Sequence, residues 1–300
     1  MYSKLLVPLD GSMTAEAVLP RASYLATALK IPMELLAVVD LAEMAVHLPA
    51  ANARMFDSIV ETEVAHSGRY LQKIAGSFAG MDVHCTVEKG SAQEVIAAKG
   101  TGASILTAMA THGRSGLGRM LLGSITEKIL RVTSNPLLVV RSDEASTNAS
   151  MPAFKSVVLP LDGSELAESI LPTAVELAKA LDLELVLFRA YHLPYESYAG
   201  DDGFAAVNYD DVISAIRDEA REYLEKAVAK AKLLGVAKVS CTAKEGFSAD
   251  EIIAAGKTTP GALIVMASHG RSGIKRMMLG SVSEAVVRHG TAPVLVLRPG

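Results

Sequence analysis

The sequence is poor in the residues that carry specialised chemistry. Tryptophan is absent, aromatic residues make up 5% of the chain, and cysteine occurs twice among 300 residues. Two cysteines cannot form a disulfide framework, and neither has Cys or His neighbours at zinc-ligand spacing. Cys85 and Cys241 lie in matching contexts, "HCTVEKG" and "SCTAKEG", so each reads as a small buried strand residue of a reducing compartment. No apolar run approaches the length that spans a bilayer, and "MYSKLLVPLDGS" has no basic segment leading into a hydrophobic stretch. The expectation is a cytoplasmic chain without a membrane partner. A net charge of −4 gives no electrostatic reason to expect a nucleic-acid partner.

What is abundant is hydrophobic residue, half of the chain, enough to fill the core of one large domain or two ordinary ones. Self-similarity decides for two. "LLVPLDGS", ending at Ser12, returns as "VVLPLDGS", ending at Ser164, at an offset of 152 residues. "ATHGRSGLGRMLLGS", Ala110 to Ser124, returns as "ASHGRSGIKRMMLGS", Ala267 to Ser281, at an offset of 157. The five extra residues fall mostly between Tyr191 and Cys241. The polar stretch "SDEASTNASMPA" between the copies reads as a linker, which places the domains at 1–142 and 154–300 with the linker at 143–153. Around each glycine loop, five Lys/Arg stand against a single glutamate, so two basic regions sit in an acidic protein.

Each copy alternates short apolar runs with longer helical patterns. In the first, strands are expected over about Lys4–Leu9, Met33–Val39, Asp82–Glu88, Ser104–Met109 and Leu137–Arg141. Alternation of this kind means right-handed βαβ units and a parallel sheet covered on both faces, and strands as apolar as "LLVPL" and "ALIVMA" agree. Pro20 and Pro172 fall inside the first helical pattern of each copy, where a kink or restart is expected.

In open parallel sheets the ligand crevice lies beyond the strand carboxyl ends, where strand order reverses. With order 3-2-1-4-5, the "PLDGS" turn and the "ATHG" turn face one another there. The loop chemistry suits phosphate. Gly113 can adopt positive φ, and Gly123 and Ser124 open a helix whose first N–H groups are unpaired. Ser124 reads as an N-cap whose hydroxyl could equally meet a phosphate. Asp10 beside a phosphate site calls for another partner, and ribose hydroxyls fit a carboxylate at nucleoside distance. A nucleotide satisfies both ends.

The spacing Gly113, nine residues, Gly123-Ser124, with "VPLDGS" opening and "NPLLVV" closing the unit, resembles the universal stress protein family in its ATP-binding branch, and the resemblance covers both halves. It implies two Rossmann-like, adenine nucleotide alpha hydrolase-like domains. Each would be a five-stranded parallel sheet of order 3-2-1-4-5 with helices on both faces. It also implies ATP as ligand, with Mg²⁺ on the phosphates. Asp10 and Asp162 would hold ribose, the backbone at Val38 and Ala190 would face adenine, and Pro8 and Pro160 would border them. The phosphates would fall to Gly113, Gly123, Ser124, Ile125 and Thr126, and to Gly270, Gly280, Ser281, Val282 and Ser283. Where the family pattern G-x2-G-x9-G-[ST] begins with glycine, this chain has Ala110 and Ala267. Alanine keeps the backbone N–H but loses easy access to positive φ.

Several residues admit two readings. Arg114 and Arg271 suit terminal phosphates, or are solvated loop residues. His112 and His269, with Asp10 and Ser12, sketch a hydrolytic triad, but stiffening of the turn is a sufficient role. Gly116 and Gly118 read as loop flexibility, and Tyr191, Tyr195 and Tyr198 as a lid, a partner surface or an insertion packed on its own helix. The favoured function is a nucleotide-responsive binding protein without a catalytic residue. The closing strands are natural pairing edges between the two halves, and a homodimer of chains is left open. The alternatives are a slow ATPase or nucleotidyl-transfer enzyme, since fold does not decide chemistry, and an interaction protein that no longer binds nucleotide.

Overall fold

The computed structural model describes residues 2–42, 44, 56–111, 122–133, 135–141, 153–193, 209–269 and 279–298. One compact unit is formed mainly by residues up to Ala153 and a second mainly by residues from Phe154 onward. The first runs β1 (Lys4–Pro8), α1 (Met13–Glu16), α2 (Leu19–Leu29), β2 (Met33–Val39), α3 (Phe56–Ala75), β3 (Val83–Lys89), α4 (Ala92–Lys99), β4 (Ile105–Ala110), α5 (Ser124–Val132) and β5 (Leu137–Val140). The second repeats it as β6 (Ser156–Pro160), α6 (Glu165–Ser169), α7 (Leu171–Ala180), β7 (Glu184–Tyr191), α8 (Tyr209–Leu233), β8 (Val239–Glu245), α9 (Ser248–Thr258), β9 (Ala262–Ala267), α10 (Ser281–His289) and β10 (Val294–Leu297). Strand order is β3-β2-β1-β4-β5 in one unit and β8-β7-β6-β9-β10 in the other, the expected 3-2-1-4-5 in both. The expected strands are present with ends shifted by a residue at most.

The central strands are apolar because helices cover them. Leu5, Leu6 and Val7 of β1 and Val157, Val158 and Leu159 of β6 are wholly buried. In the first unit α2 packs on β1 and β2, α3 on β2 and β3, and α4 on β2. The outer strands β3 and β8 have only half-buried and exposed positions. This corrects the expectation for the cysteines. Both lie on strands, but Cys85 is only half-buried and Cys241 is exposed, because an edge strand has a neighbour on one side only.

The two prolines restart their helices. α1 ends at Glu16 and α2 begins at Leu19 with Pro20 in its first turn, and α6 and α7 break in the same way around Pro172. A first-turn position needs no N–H, so proline is tolerated there and nowhere deeper.

A second proline pair shapes the sheet. The β1–β4 ladder runs from Lys4↔Ile105 to Leu6↔Thr107 and stops. β1 remains with β2 as far as Pro8↔Leu36, and the Leu9 N–H donates to the Leu36 carbonyl at 2.8 Å. β4 remains with β5 as far as Ala110↔Val140, and the Thr111 N–H donates to the Val140 carbonyl at 2.8 Å. Successive main-chain groups of a strand face opposite neighbours. Leu5 and Leu9 give their N–H groups to the β2 side, so Pro8 turns its nitrogen towards β4 and has no hydrogen to offer. In the second unit β6 leaves β9 after Val158↔Ile264 but follows β7 to Pro160↔Phe188. Each sheet therefore splits between its first and fourth strands.

One polar group sits low in the first unit. Glu34 of β2, 7% exposed, accepts hydrogen bonds from Lys4 Nζ at 2.6 Å and Thr86 Oγ1 at 2.9 Å, with Lys99 Nζ at 3.7 Å. Burial alone would raise its pKa, but the two donors and the charges of Lys4 and Lys99 hold it below the usual carboxylate value. A depressed folded pKa gives stability that is present above the unfolded value and lost as pH falls through the folded one. Glu34→Gln should cost about 1–3 kcal/mol near neutral pH. Denaturant titrations should show that difference shrinking on acidification below the carboxylate range, and a difference independent of pH would contradict the assignment.

Candidate functional site

A cleft of about 950 Å³ occupies the split in the first unit. Pro8, Asp10, Val38, Ala110, Gly123, Ser124, Ile125 and Thr126 all line it, so residues spread over more than a hundred positions meet in one place. Gly113 and Arg114 lie outside the described residues, as do His112, Gly116 and Gly118, and in the second half Gly270 and Arg271.

Asp10 is fixed by the turn it begins. Gly11 has φ +82°, and Gly163 at the same place in the second turn has φ +85°, values that favour glycine. The turn brings the Ser12 N–H to 3.0 Å and the Ser12 hydroxyl to 2.6 Å from Asp10 Oδ1. Ser12 Oγ in turn accepts the Ala15 N–H at 3.1 Å and caps α1. Asp162 and Ser164 repeat this, with distances of 3.0, 2.6 and 3.2 Å. The Asp–Ser pair of the sketched triad is thus a turn-and-cap device. The serine hydroxyl donates to the carboxylate and accepts from the helix, which leaves it poorly disposed for attack. His269 Nδ1 lies 3.0 Å from its neighbour Ser268 Oγ.

The opposite wall is a helix start. Gly123, not Ser124, is the N-cap of α5, and it makes no side-chain cap bond. Ser124 is the first helical residue and is exposed; the expectation of a serine cap is corrected by one position. Gly280 and Ser281 stand the same way at α10. The first intrahelical bond runs from the Glu127 N–H to the Gly123 carbonyl at 2.9 Å. The N–H groups of Ser124, Ile125 and Thr126 therefore precede the helical ladder and present partial positive charge to the cleft. The Thr126 side chain has a different task from its amide. Its Oγ1 donates to the Ala110 carbonyl at 2.9 Å, as Ser283 Oγ does to the Ala267 carbonyl at 2.9 Å. With the Gly123 N–H on the Thr111 carbonyl and the Gly280 N–H on the Ser268 carbonyl, each at 2.7 Å, these bonds clip the helix start to the end of the fourth strand.

Ala110 and Ala267 carry no strain. Each ends a strand in ordinary extended pairing, and the only described non-glycine residues with positive φ are Lys30 and Asp182. The loss of the family's first glycine costs nothing in backbone conformation.

Sequence reasoning missed the third wall. Glu63, Ser67 and Tyr70 of α3 also line the cleft, at helical spacing that places them on one face. That spacing was the available signal, obscured because the residues differ in chemistry. Tyr70 Oη donates to Glu16 Oε1 at 2.9 Å, which ties the wall to α1. Asp40, beyond the end of β2, accepts the N–H groups of Ala42 at 3.0 Å and Ala92 at 3.4 Å. Among the described residues no cluster of His, Cys, Asp or Glu could hold a metal ion by itself, and no helix is long and apolar enough to cross a membrane.

The profile of the universal stress protein family matches residues 1–141 and 153–298. A universal stress protein of Mycolicibacterium smegmatis is 28% identical over 307 residues, covering 98% of this chain and 97% of its own. Universal stress protein YxiE of Bacillus subtilis is 34% identical over 151 residues, 48% of this chain and 99% of its own. In structure, a universal stress protein from Archaeoglobus fulgidus matches with a TM-score of 0.69 at 21% identity, over 100% of both chains, a likeness of fold.

The cap assignment has a direct check. Ser12→Ala should destabilise the protein by about 1 kcal/mol through loss of the α1 cap. Thermal denaturation would measure this, and an unchanged melting temperature would show that the Ser12–Ala15 bond contributes nothing.

Proposed function

The chain belongs to the universal stress protein family, and from that premise we propose that it is a nucleotide-responsive binding protein whose two crevices take adenine nucleotides, with ATP in the first. The observation that carries this reading is the pairing of Asp10 with the α5 start across one cleft. A carboxylate at one end suits ribose hydroxyls, and a row of unpaired amides at the other suits phosphate. A helix start contributes roughly 0.3–1 kcal/mol towards an exposed anion, so the amides of Ser124, Ile125 and Thr126 act together with the basic loop. Val38, at the end of β2, offers the main chain that would face the base. Mg²⁺ would ride on the phosphates, since the described residues of the cleft form no metal cluster.

Binding is favoured over turnover. The Ser12 hydroxyl beside Asp10 is consumed in capping α1, which leaves it poorly disposed to attack a bound phosphate. In this reading bound nucleotide changes a surface that a partner protein reads.

Gly123 offers a clean test. Its φ of −58° and ψ of 141° are values that valine adopts, so Gly123→Val obstructs a ligand at the helix start without straining the backbone. Calorimetric titration of nucleotide-stripped protein with ATP and Mg²⁺ should give saturable binding to the first cleft, much weaker with AMP, and Gly123→Val should abolish that component. Unchanged affinity in the variant would remove the phosphate site from the α5 start.

A further inference from the structure

The carboxylate that opens the first cleft rests on a helix too short to hold itself. α1 spans four residues, Met13–Glu16, and a single turn makes too few hydrogen bonds to be stable alone. Of its side chains only Ala15 is buried, and Met13 is 78% exposed. This weak element nevertheless follows the Asp10 turn directly and packs on β4, the strand across the split. Ser12 belongs to turn and helix at once. Its hydroxyl donates to Asp10 Oδ1 at 2.6 Å and accepts the Ala15 N–H at 3.1 Å, so a movement of α1 is passed to Asp10 through one serine.

Tyr70 holds the other end of α1. Its hydroxyl donates to Glu16 Oε1 at 2.9 Å, a bond between residues 54 positions apart. Tyr70 lines the cleft and is carried by α3, a helix of 20 residues that packs on β2 and β3. Tyr70 and Glu16 are both half-buried, where a hydrogen bond to a carboxylate is stronger than in open water. A long, packed element thus steadies a short one from the far wall of the cleft. The bonds form one chain, from Tyr70 to Glu16, along α1 to Ser12, and on to Asp10.

The second unit keeps the tie and changes its partner. Glu168 of α6 stands where Glu16 stands in α1, 152 residues on, and α6 packs on β9 as α1 does on β4. Glu168 Oε2 accepts from Lys230 Nζ of the long helix α8 at 3.2 Å. Tyr223, at the place of Tyr70 in the shared pattern Tyr-Leu-x-Lys, has its phenol pKa raised by burial and then by Glu168. In each unit the glutamate of the short helix is therefore tied to the long one.

Building on the nucleotide reading above, we propose that Tyr70 is a positioning residue for the sugar: through Glu16 and the Ser12 cap it holds the Asp10 carboxylate in the direction from which it accepts ribose hydroxyls. The phosphate end is fastened separately, by the Gly123 amide on the Thr111 carbonyl and the Thr126 hydroxyl on the Ala110 carbonyl. Loss of the Tyr70 bond should therefore be felt at the sugar and not at the phosphates.

ATP and 2′,3′-dideoxyATP, which keeps base and phosphates but lacks the hydroxyls, are the probes. Each is titrated calorimetrically with Mg²⁺ into nucleotide-stripped, full-length protein carrying Gly280→Val, so that the first cleft alone is read. That parent should prefer ATP. Adding Tyr70→Phe should weaken ATP about three- to tenfold, the contribution of one hydrogen bond, and leave dideoxyATP unchanged; the retained binding also shows that the variant is folded. Glu16→Met should repeat the loss, and the two changes together should lose no more than either alone. Glu16→Gln, which keeps an acceptor for the phenol, should recover most of it. Equal weakening of both probes, no weakening of either, or a loss with Tyr70→Phe that Glu16→Met does not share would overturn the positioning role and leave the nucleotide reading standing. A parent that binds neither probe would overturn that reading, and one that binds both equally would overturn its sugar end; this inference falls with either.

Discussion

A hydrogen that proline lacks organises each half of this protein. At Pro8 no N–H is available to continue the ladder from β1 to β4. Instead β1 follows β2 and β4 follows β5, and the gap between them becomes the cleft. The same event at Pro160 shows that the split is built into the repeating unit. Everything in the site depends on it: the Asp10 turn leaves the sheet on one side of the gap, and the chain returns to α5 on the other. Reversal of strand order makes such a place available in any fold of this class, and here the proline widens it.

Around that gap the main chain is held more firmly than the side chains suggest. The turn at Asp10 is locked by Gly11 and Ser12, and the α5 start is fastened by the Thr126 hydroxyl and the Gly123 amide. These bonds fix amide positions in advance, so little ordering of the helix start is left to a ligand. They also explain why the second half keeps the identical set at Asp162, Ser164, Gly280 and Ser283 while its walls diverge. The frame is common to both halves.

The legible part of the sequence was the part written in main-chain terms. Glycines, the Asp-Gly-Ser turns and apolar strands each dictate backbone behaviour, so the parallel sheet and the helix restarts at Pro20 and Pro172 could be read directly, whereas strand order, and with it the meeting of Asp10 with Gly123, came with the family resemblance. The serine cap was misread by one position because Gly123 and Ser124 both suit a helix start, and only geometry shows that Gly123 turns the corner. Cys85 and Cys241 looked buried because strands of this fold usually are, whereas β3 and β8 are edges. The α3 wall was hidden for another reason. Glu63, Ser67 and Tyr70 share one face by their helical spacing, but that spacing alone does not say whether the face meets a ligand or a sheet.

The central claim is that the gap opened by Pro8 holds a nucleotide with its sugar at Asp10 and its phosphates at the start of α5. Mapping backbone amide chemical shifts of the full chain as ATP and Mg²⁺ are added tests it most directly. The account predicts the largest shifts at Asp10, Val38, Gly123, Ser124 and Ile125, saturating together. Saturation with those amides unmoved, or shifts confined to another face of the first unit, would contradict it.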